Sequence, residues 1–472
     1  MTTIISVCSL VLAGFAACLL APLVVGMIGQ DLASIEGFGL VAICYLFLAA
    51  ALILTFNGRH QHLGRGQMFM LACCCWLTLV LAAVVPFMVM ERLSLAAAWV
   101  EAVSAATTLG STLVATDSIS TPMKTYRAIV GWYGGFLTLA MIVYVLSPYS
   151  VGGLPNRDLR FVLHTAGENA RSLVRTLAEI FVPYATLTVL CLLVLLGQGV
   201  RPLDAVLAST AALSTNGFLP TLSGGSIFNN ANAEVSLMVF MMVGGTSIIW
   251  HRMIVFRRFE LLFTQHKESF ATVGIILVLA LIMTVSASVF GVLPKSAISY
   301  LFDTASLMTT TGISHNANTG LSIPLFLALM LGMGGATTFS TSGGIKVYRL
   351  GLMMFHSIGE ARHLMSPHAV IAGLGIQKKE PNRTVNAVWS HFYLFIITLA
   401  VGIIGFASFG LSFETAMAFS VGSINSVGNL VDPTVLQSDI GLQVGLWVSV
   451  LALVGRVEIL VIIAAIASLL NR

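Results

Sequence analysis

The chain has 472 residues, of which 57% are hydrophobic and 9% charged, with a mean hydropathy of +0.96 and a net charge of +4. An ordinary soluble domain carries about 25% charged residues. The values exclude a soluble enzyme or a nucleic-acid binder and define an all-α polytopic membrane protein.

In chain order, apolar stretches near the roughly 20 residues needed to cross a bilayer predict ten spans. They fall near 3–25, 36–56, 68–90, 127–147, 177–198, 235–255, 271–293, 322–349, 386–409 and 441–469. The first lacks the basic n-region of a signal peptide and reads as a retained span.

Basic residues divide unevenly among the connections. Residues 57–67, 155–176, 252–267 and 346–383 hold sixteen of the 23 Lys and Arg, from Arg59 and Arg65 to Lys378, Lys379 and Arg383. By the positive-inside rule these four loops are cytoplasmic. The opposite side carries Asp31, Glu91, Glu101, Asp117, Asp204, Glu234, Asp303, Glu414, Asp432 and Asp439. An acidic outer mouth concentrates cations; the competing reading is that exported loops are simply poor in Lys and Arg. The seven cysteines (8, 18, 44, 73, 74, 75 and 191) lie in apolar spans and read as packing residues. The pairs His60/His62 and His363/His368 lack the companion ligands of a metal site.

Four segments rhyme: "EAVSAATTLGST" (101–112), "DAVLASTAALSTNGF" (204–218), "FDTASLMTTTGIS" (302–314) and "ETAMAFSVGSINSVGN" (414–429). Each joins an acid, a short apolar helix and a polar run ending at Gly110, Gly217, Gly312 or Gly428, and each lies between two long spans. The helices are too short to cross, so they enter and return on the outer side. An acid at the N-terminus suits the helix dipole, and the partly negative C-termini then point at a common axis. The runs Thr107, Thr108, Leu109, Gly110; Ser214, Thr215, Asn216, Gly217; Thr309, Thr310, Thr311, Gly312; and Asn425, Ser426, Val427, Gly428 are candidates to aim carbonyl oxygens at a dehydrated cation. Glycine permits the backbone conformation and close approach that this needs.

"MGGATTFSTSGGI" (333–345) breaks the eighth span, and unpaired backbone at membrane depth must face protein or a water-filled cavity. It reads as a gate across the pore; the GxxxxGK[ST] order of a nucleotide loop is absent. Arg456 in "LALVGRVEIL" is a basic residue deep in the last span. It is expected to bond the carbonyls of the 333–345 loop, as a barrier on the ion path or as a staple between helices. Glu458 is too near in sequence to be its partner.

These motifs resemble the Trk/Ktr/HKT superfamily of potassium transporters, specifically Trk-type translocating subunits. "YRAIVGWYGG" (126–135), "GGATTFSTSGGIKVYR" (334–349), "HLMSPHAV" (363–370) and "GRVEIL" (455–460) are similar to family motifs, and two extra spans precede the first unit as in Trk proteins. The resemblance implies a homodimer with one pore per subunit, and a gate of Gly334, Gly335, Ser340, Thr341, Ser342, Gly343, Gly344 and Lys346 with Arg456. It also implies a cytosolic nucleotide-binding ring of the RCK type as partner. Leu109 stands where the family commonly has threonine and Asn216 where it has glycine; glycine at all four run ends implies potassium.

The expected plan is two N-terminal spans (1–67), pore repeat 1 (68–154), pore repeat 2 (155–267), pore repeat 3 with a broken gating helix (268–350), a cytoplasmic segment (351–385) and pore repeat 4 (386–472). The expected activity is gated potassium uptake across a bacterial inner membrane, with potassium as substrate and no cofactor. Alternatives are the potassium-binding subunit of an ATP-driven pump or a proton- or sodium-coupled symporter. An intramembrane enzyme is disfavoured because the spans offer no intramembrane histidine or paired carboxylates.

Overall fold

The computed structural model describes residues 2–56, 63–115, 118–155, 170–218, 230–255, 257, 260, 267–289, 296–315, 321–366 and 382–470, with side chains of the helix opening at Ala170 described from 177. Arg59, His60, His62, Asp117, Arg157, Arg160, Arg258, His368, Lys378 and Lys379, named above, lie outside the described residues, as do the side chains of Arg171 and Arg175.

The described residues are helical and carry no strand. Helices α1 (Thr2–Cys18), α2 (Leu20–Ile28) and α3 (Leu32–Phe56) precede the first repeat. On α3, Leu40, Phe47 and Leu54 are exposed at seven-residue intervals, an apolar stripe suited to lipid tails.

Four units follow. The first is α4 (Arg65–Met90), the short α5 (Leu95–Ala106) and α6 (Thr121–Met141), continued by a wider turn at Ile142–Leu146. The second is α7 (Ala170–Gly197), the short α8 (Pro202–Ser214), α9 (Ala231–Gly245) and α10 (Ile248–Val255). The third is α11 (Lys267–Val289), the short α12 (Ala297–Met308), α13 (Leu325–Gly334) and α14 (Val347–Met365). The fourth is α15 (Asn382–Ser408), the short α16 (Phe413–Asn425), α17 (Gly441–Val457) and α18 (Ile459–Leu470).

The packing order closes on itself. Each short helix packs between the spans on either side of it, and the outgoing span of one unit packs on the short helix of the next: α6 on α8, α9 on α12, α13 on α16, and α17 back on α5. The four short helices therefore ring one axis, walled by the outgoing spans. Glycines set that approach: a methyl on Gly134, Gly244 or Gly455 would collide with the carbonyl of Ala106, Ala212 or Ile424 near the end of a short helix.

Three expected spans are not continuous. Beside the break expected after Gly334, the span at 235–255 bends by 101° between α9 and α10, and that at 441–469 by 86° between α17 and α18. The first bend falls at Thr246 and Ser247 and the second at Glu458, whose φ of +66° a helix cannot continue through. Apolar length marks a crossing but not its straightness.

The N-termini also correct the sequence reading. Asp204 and Glu414 lie in the first turns of α8 and α16, where the dipole favours them. Glu101 and Asp303 instead sit midway along α5 and α12, fully buried, while Ser94 and Ser296 cap those helices. A dipole argument reaches only the first turn, so the two interior acids need another role.

Candidate functional site

The four polar runs share one backbone geometry. The first residue of each turns its side chain back to the carbonyl four residues earlier: Thr107 to Val103 (2.7 Å), Ser214 to Thr210 (2.6 Å), Thr309 to Ala305 (2.8 Å) and Asn425 to Val421 (2.9 Å). The second residue is left-handed in all four, at Thr108, Thr215, Thr310 and Ser426 (φ 51° to 60°). The third donates its N–H to the carbonyl five residues back: Leu109 to Ser104, Asn216 to Ala211, Thr311 to Ser306 and Val427 to Gly422 (2.8–3.0 Å). Such a left-handed cap with a six-to-one bond normally uses glycine or asparagine. Three threonines and a serine carry it here, at about 1–2 kcal/mol each, strain of the kind found where function needs it.

These bonds engage the first side chain and the third N–H of every run on the helix side. The run-ending glycines close a ring. A methyl on Gly110 would stand 2.6 Å from Gly217 Cα; on Gly217, 3.2 Å from Thr311 O; on Gly312, 2.5 Å from Gly428 N; and on Gly428, against Leu109 O. Gly110 and Gly312 have positive φ, whereas Gly217 and Gly428 serve by close approach alone.

The two unusual residues are both buried. Leu109 is fully buried in the core. Asn216 lies toward Gly131 on α6 and accepts from Phe218 N (3.0 Å).

The interior acids hold the chain after the runs. Glu101 accepts from Thr112 Oγ1, Leu113 N and Val114 N and pairs with Arg127, the arginine of "YRAIVGWYGG", at 2.7 Å. Asp303 accepts from His315 N (2.8 Å) and Ser322 N (2.6 Å).

A loop crosses beside the short-helix C-termini, between α13 and α14. Its ends are tied by Ile345 N to Met333 O, Lys346 N to Gly334 O and Val347 N to Ala336 O. Its tip docks in the bend of the sixth span, where Thr337 N donates to Gly245 O and Ile248 N to Phe339 O. Thr341 Oγ1 lies 3.1 Å from Leu213 O and 3.2 Å from Gly244 O, and Gly343 N donates to Thr310 Oγ1 (2.7 Å). A methyl on Gly343 would strike Asn425 O. Ser340 Oγ and Ser342 Oγ share a bond of 2.7 Å, and Lys346 Nζ donates to Ser342 O and Oγ. The loop thus touches the ends of α8, α12 and α16. The fourth end, beside α5, is met by Arg456, which donates to Thr108 Oγ1.

This corrects the expected partner of Arg456: it bonds a hydroxyl of the first run rather than a loop carbonyl. Arg456 adjoins Ser342, Gly343, Gly344 and Lys346 across one cavity of about 60 Å³. Glu458 turns elsewhere, to Arg349 (3.0 Å), which also donates to Gly152 O and to His391 Nε2 (2.9 Å each). The charges of "GGIKVYR" and "GRVEIL" thereby close on each other. His391 is buried within α15, and His251 on α10 bonds Thr246 Oγ1 (2.8 Å). Histidine is therefore present inside the spans, contrary to the sequence reading, but each ring nitrogen that is engaged meets an arginine or a threonine. Among the described residues no group of three metal-ligating side chains occurs.

Missed from sequence were Glu268 and the doublet Gly244–Gly245, while Arg349 and Gly134–Gly135 lie in the quoted motifs but carried no site role there. Glycines recurring in each outgoing span, as at Gly334–Gly335 and Gly455, were the available signal.

The molecule is a polytopic membrane protein whose four loop units close around a single axis. No family model matches the chain. It is 25% identical to the Trk system potassium uptake protein TrkH of Vibrio parahaemolyticus, over 97% of this chain and 96% of that protein. It is 28% identical to the Trk system potassium uptake protein TrkI of Halomonas elongata, over 77% of this chain and 74% of that one. The crystal structure of the V. parahaemolyticus potassium transporter TrkH superposes with a TM-score of 0.83, covering 98% of this chain and 97% of that structure at 24% identity. The fold is shared, and the Trk-type resemblance drawn from the motifs extends over nearly the full chain.

Proposed function

We propose that this chain takes up potassium through a selective, gated pore of the Trk type. The observation that carries the reading is the closed ring of Gly110, Gly217, Gly312 and Gly428 at the ends of four identically capped helices. Main-chain oxygens of 107–110, 214–217, 309–312 and 425–428 form the filter and replace an ion's water shell. The partly negative ends of α5, α8, α12 and α16 favour a cation there without a carboxylate. Gly334, Gly335, Ser340, Thr341, Ser342, Gly343, Gly344 and Lys346 form the gate, and Arg456 completes it against the first filter run. An inward-negative potential drives entry with about 2.3 kcal/mol per charge per 100 mV; no bond chemistry is involved.

The relatives are named as parts of a Trk system, which supports a cytosolic partner, read here as an RCK-type ring meeting the basic loops of a homodimer. Those loops face the cytoplasm of a bacterial inner membrane and the filter mouth faces outward. Purified protein in liposomes should accumulate rubidium under an inside-negative potential, and potassium should compete better than sodium. Absence of voltage-driven rubidium uptake by monodisperse protein would end the proposal.

A further inference from the structure

One carboxylate outside the motifs fastens the crossing loop. Glu268, in the first turn of α11, accepts from Thr338 N (2.8 Å) and Thr338 Oγ1 (2.9 Å) at the loop, and from Tyr348 N (3.1 Å) in the first turn of α14. The loop leaves α13 at Gly334 and re-enters helix at Val347, so Glu268 grips its middle and its exit together. Two of the donors are backbone N–H groups that the local structure leaves unfilled: Thr338 lies in no helix, and Tyr348 is among the first residues of α14, whose N–H groups have no intrahelical acceptor. A carboxylate accepts several such bonds at once, and charge-assisted bonds are about twice as strong as neutral ones. The side chain also sits at the N-terminal end of α11, where its charge is favoured.

The remaining fastenings of the loop lie on two other sides: in the bend between α9 and α10, where Thr337 N and Oγ1 donate to Gly245 O, Ile248 N donates to Phe339 O and Thr341 reaches Gly244 O, and at the short-helix ends, where Thr341 meets Leu213 O and Gly343 N donates to Thr310. The loop is therefore pinned from three sides, by the short-helix ends, by the α9–α10 bend and by α11. Each fastening adds to the barrier against moving it off the axis.

We infer that Glu268 is a positioning residue of the gate: its carboxylate is the clasp on the α11 side that helps hold residues 335–344 across the ion path, so that a shift of the α11 N-terminus relative to α14 removes this clasp and lowers the barrier to moving the loop. The inference rests on the pore reading above. It makes no contact with the filter, so it separates gating from selectivity.

The test is rubidium uptake by the full-length protein in liposomes without its cytosolic partner, comparing Glu268→Ala, Glu268→Gln and Thr338→Val. Loss of the clasp should raise resting uptake about tenfold in Glu268→Ala, the effect of one bond to a charged group. Glu268→Gln, which keeps one acceptor, and Thr338→Val, which keeps the backbone donor, should give smaller rises. Potassium over sodium preference should stay at the native value in all three, which a general loosening of the fold would not allow. The double variant Glu268→Ala/Thr338→Val should exceed Glu268→Ala little, since both remove one interaction. Resting uptake at the native level in Thr338→Val and in folded Glu268→Ala overturns the clasp, and so does a rise accompanied by lost selectivity. If Glu268→Ala fails to fold, Thr338→Val alone decides. Native protein that takes up no rubidium defeats the pore reading instead, whereas a clasp that fails in conducting protein leaves that reading intact.

Discussion

Arg456 donates to the hydroxyl of Thr108, one of the four left-handed residues that end the short helices. The other three ends are touched by a single loop, so this bond completes a floor of which the loop forms the rest.

Arg456→Gln removes the cation from that floor while keeping a donor. Resting rubidium flux should rise about tenfold, as expected for loss of roughly 1.5–3 kcal/mol in a bond to a charged group. Flux in proteoliposomes measures it, with gel filtration as the control for folding. Folded protein with native resting flux assigns Arg456 to stapling alone.

Gly110→Ser places a side chain at φ +79° and a methylene 2.6 Å from Gly217 Cα. The residue must move, and strain of about 1–2 kcal/mol enters the ring at its contact with the second run. Potassium over sodium preference should fall about tenfold, since roughly 1.4 kcal/mol is a factor of ten. Competition of sodium against rubidium uptake gives the ratio.

The acids of the four short helices should separate into two classes. Glu101→Gln breaks a fully buried pair with Arg127 and weakens acceptance from the 112–114 backbone, at a cost of about 3–5 kcal/mol. Asp204→Asn touches a pair with the largely exposed Arg201 and should cost less than about 1 kcal/mol. Thermal unfolding in detergent should show a large drop in Tm for the first and almost none for the second. Equal drops would contradict the assignment.

Arg349→Ala takes from one site the partners of Glu458, His391 and Gly152 O. With Arg349 only 1% exposed, the loss should reach about 3–5 kcal/mol and lower the yield of folded protein. Arg349→Lys should not rescue it, because one ammonium cannot reach three acceptors in a planar fork.

Much of this plan is legible in the sequence because polar runs and charges are costly in a membrane and so mark their positions, with glycines at their ends and breaks. The four run-ending glycines, the broken span at 333–345 and the lone Arg456 all stand out on that ground. The bends at Thr246 and Glu458 do not, since each sits in a stretch still apolar enough to cross. Glu101 and Asp303 misled for a related reason: an acid near a short helix satisfies a dipole argument in sequence, while its register in the helix is set by the Ser94 and Ser296 caps seven residues earlier. Arg456 lines the cavity beside Ser342, Gly343 and Gly344, but which of several nearby oxygens a guanidinium meets is a matter of ångströms that no spacing encodes. Glu268 was invisible because it belongs to the opening turn of an ordinary span and acquires meaning only from a loop 70 residues away.

The seam where α17 lies against α5 joins the last unit to the first. Without α17 the flank of α5 stands open, so the ring of short helices becomes a closed circuit only when the fourth unit has packed against the first.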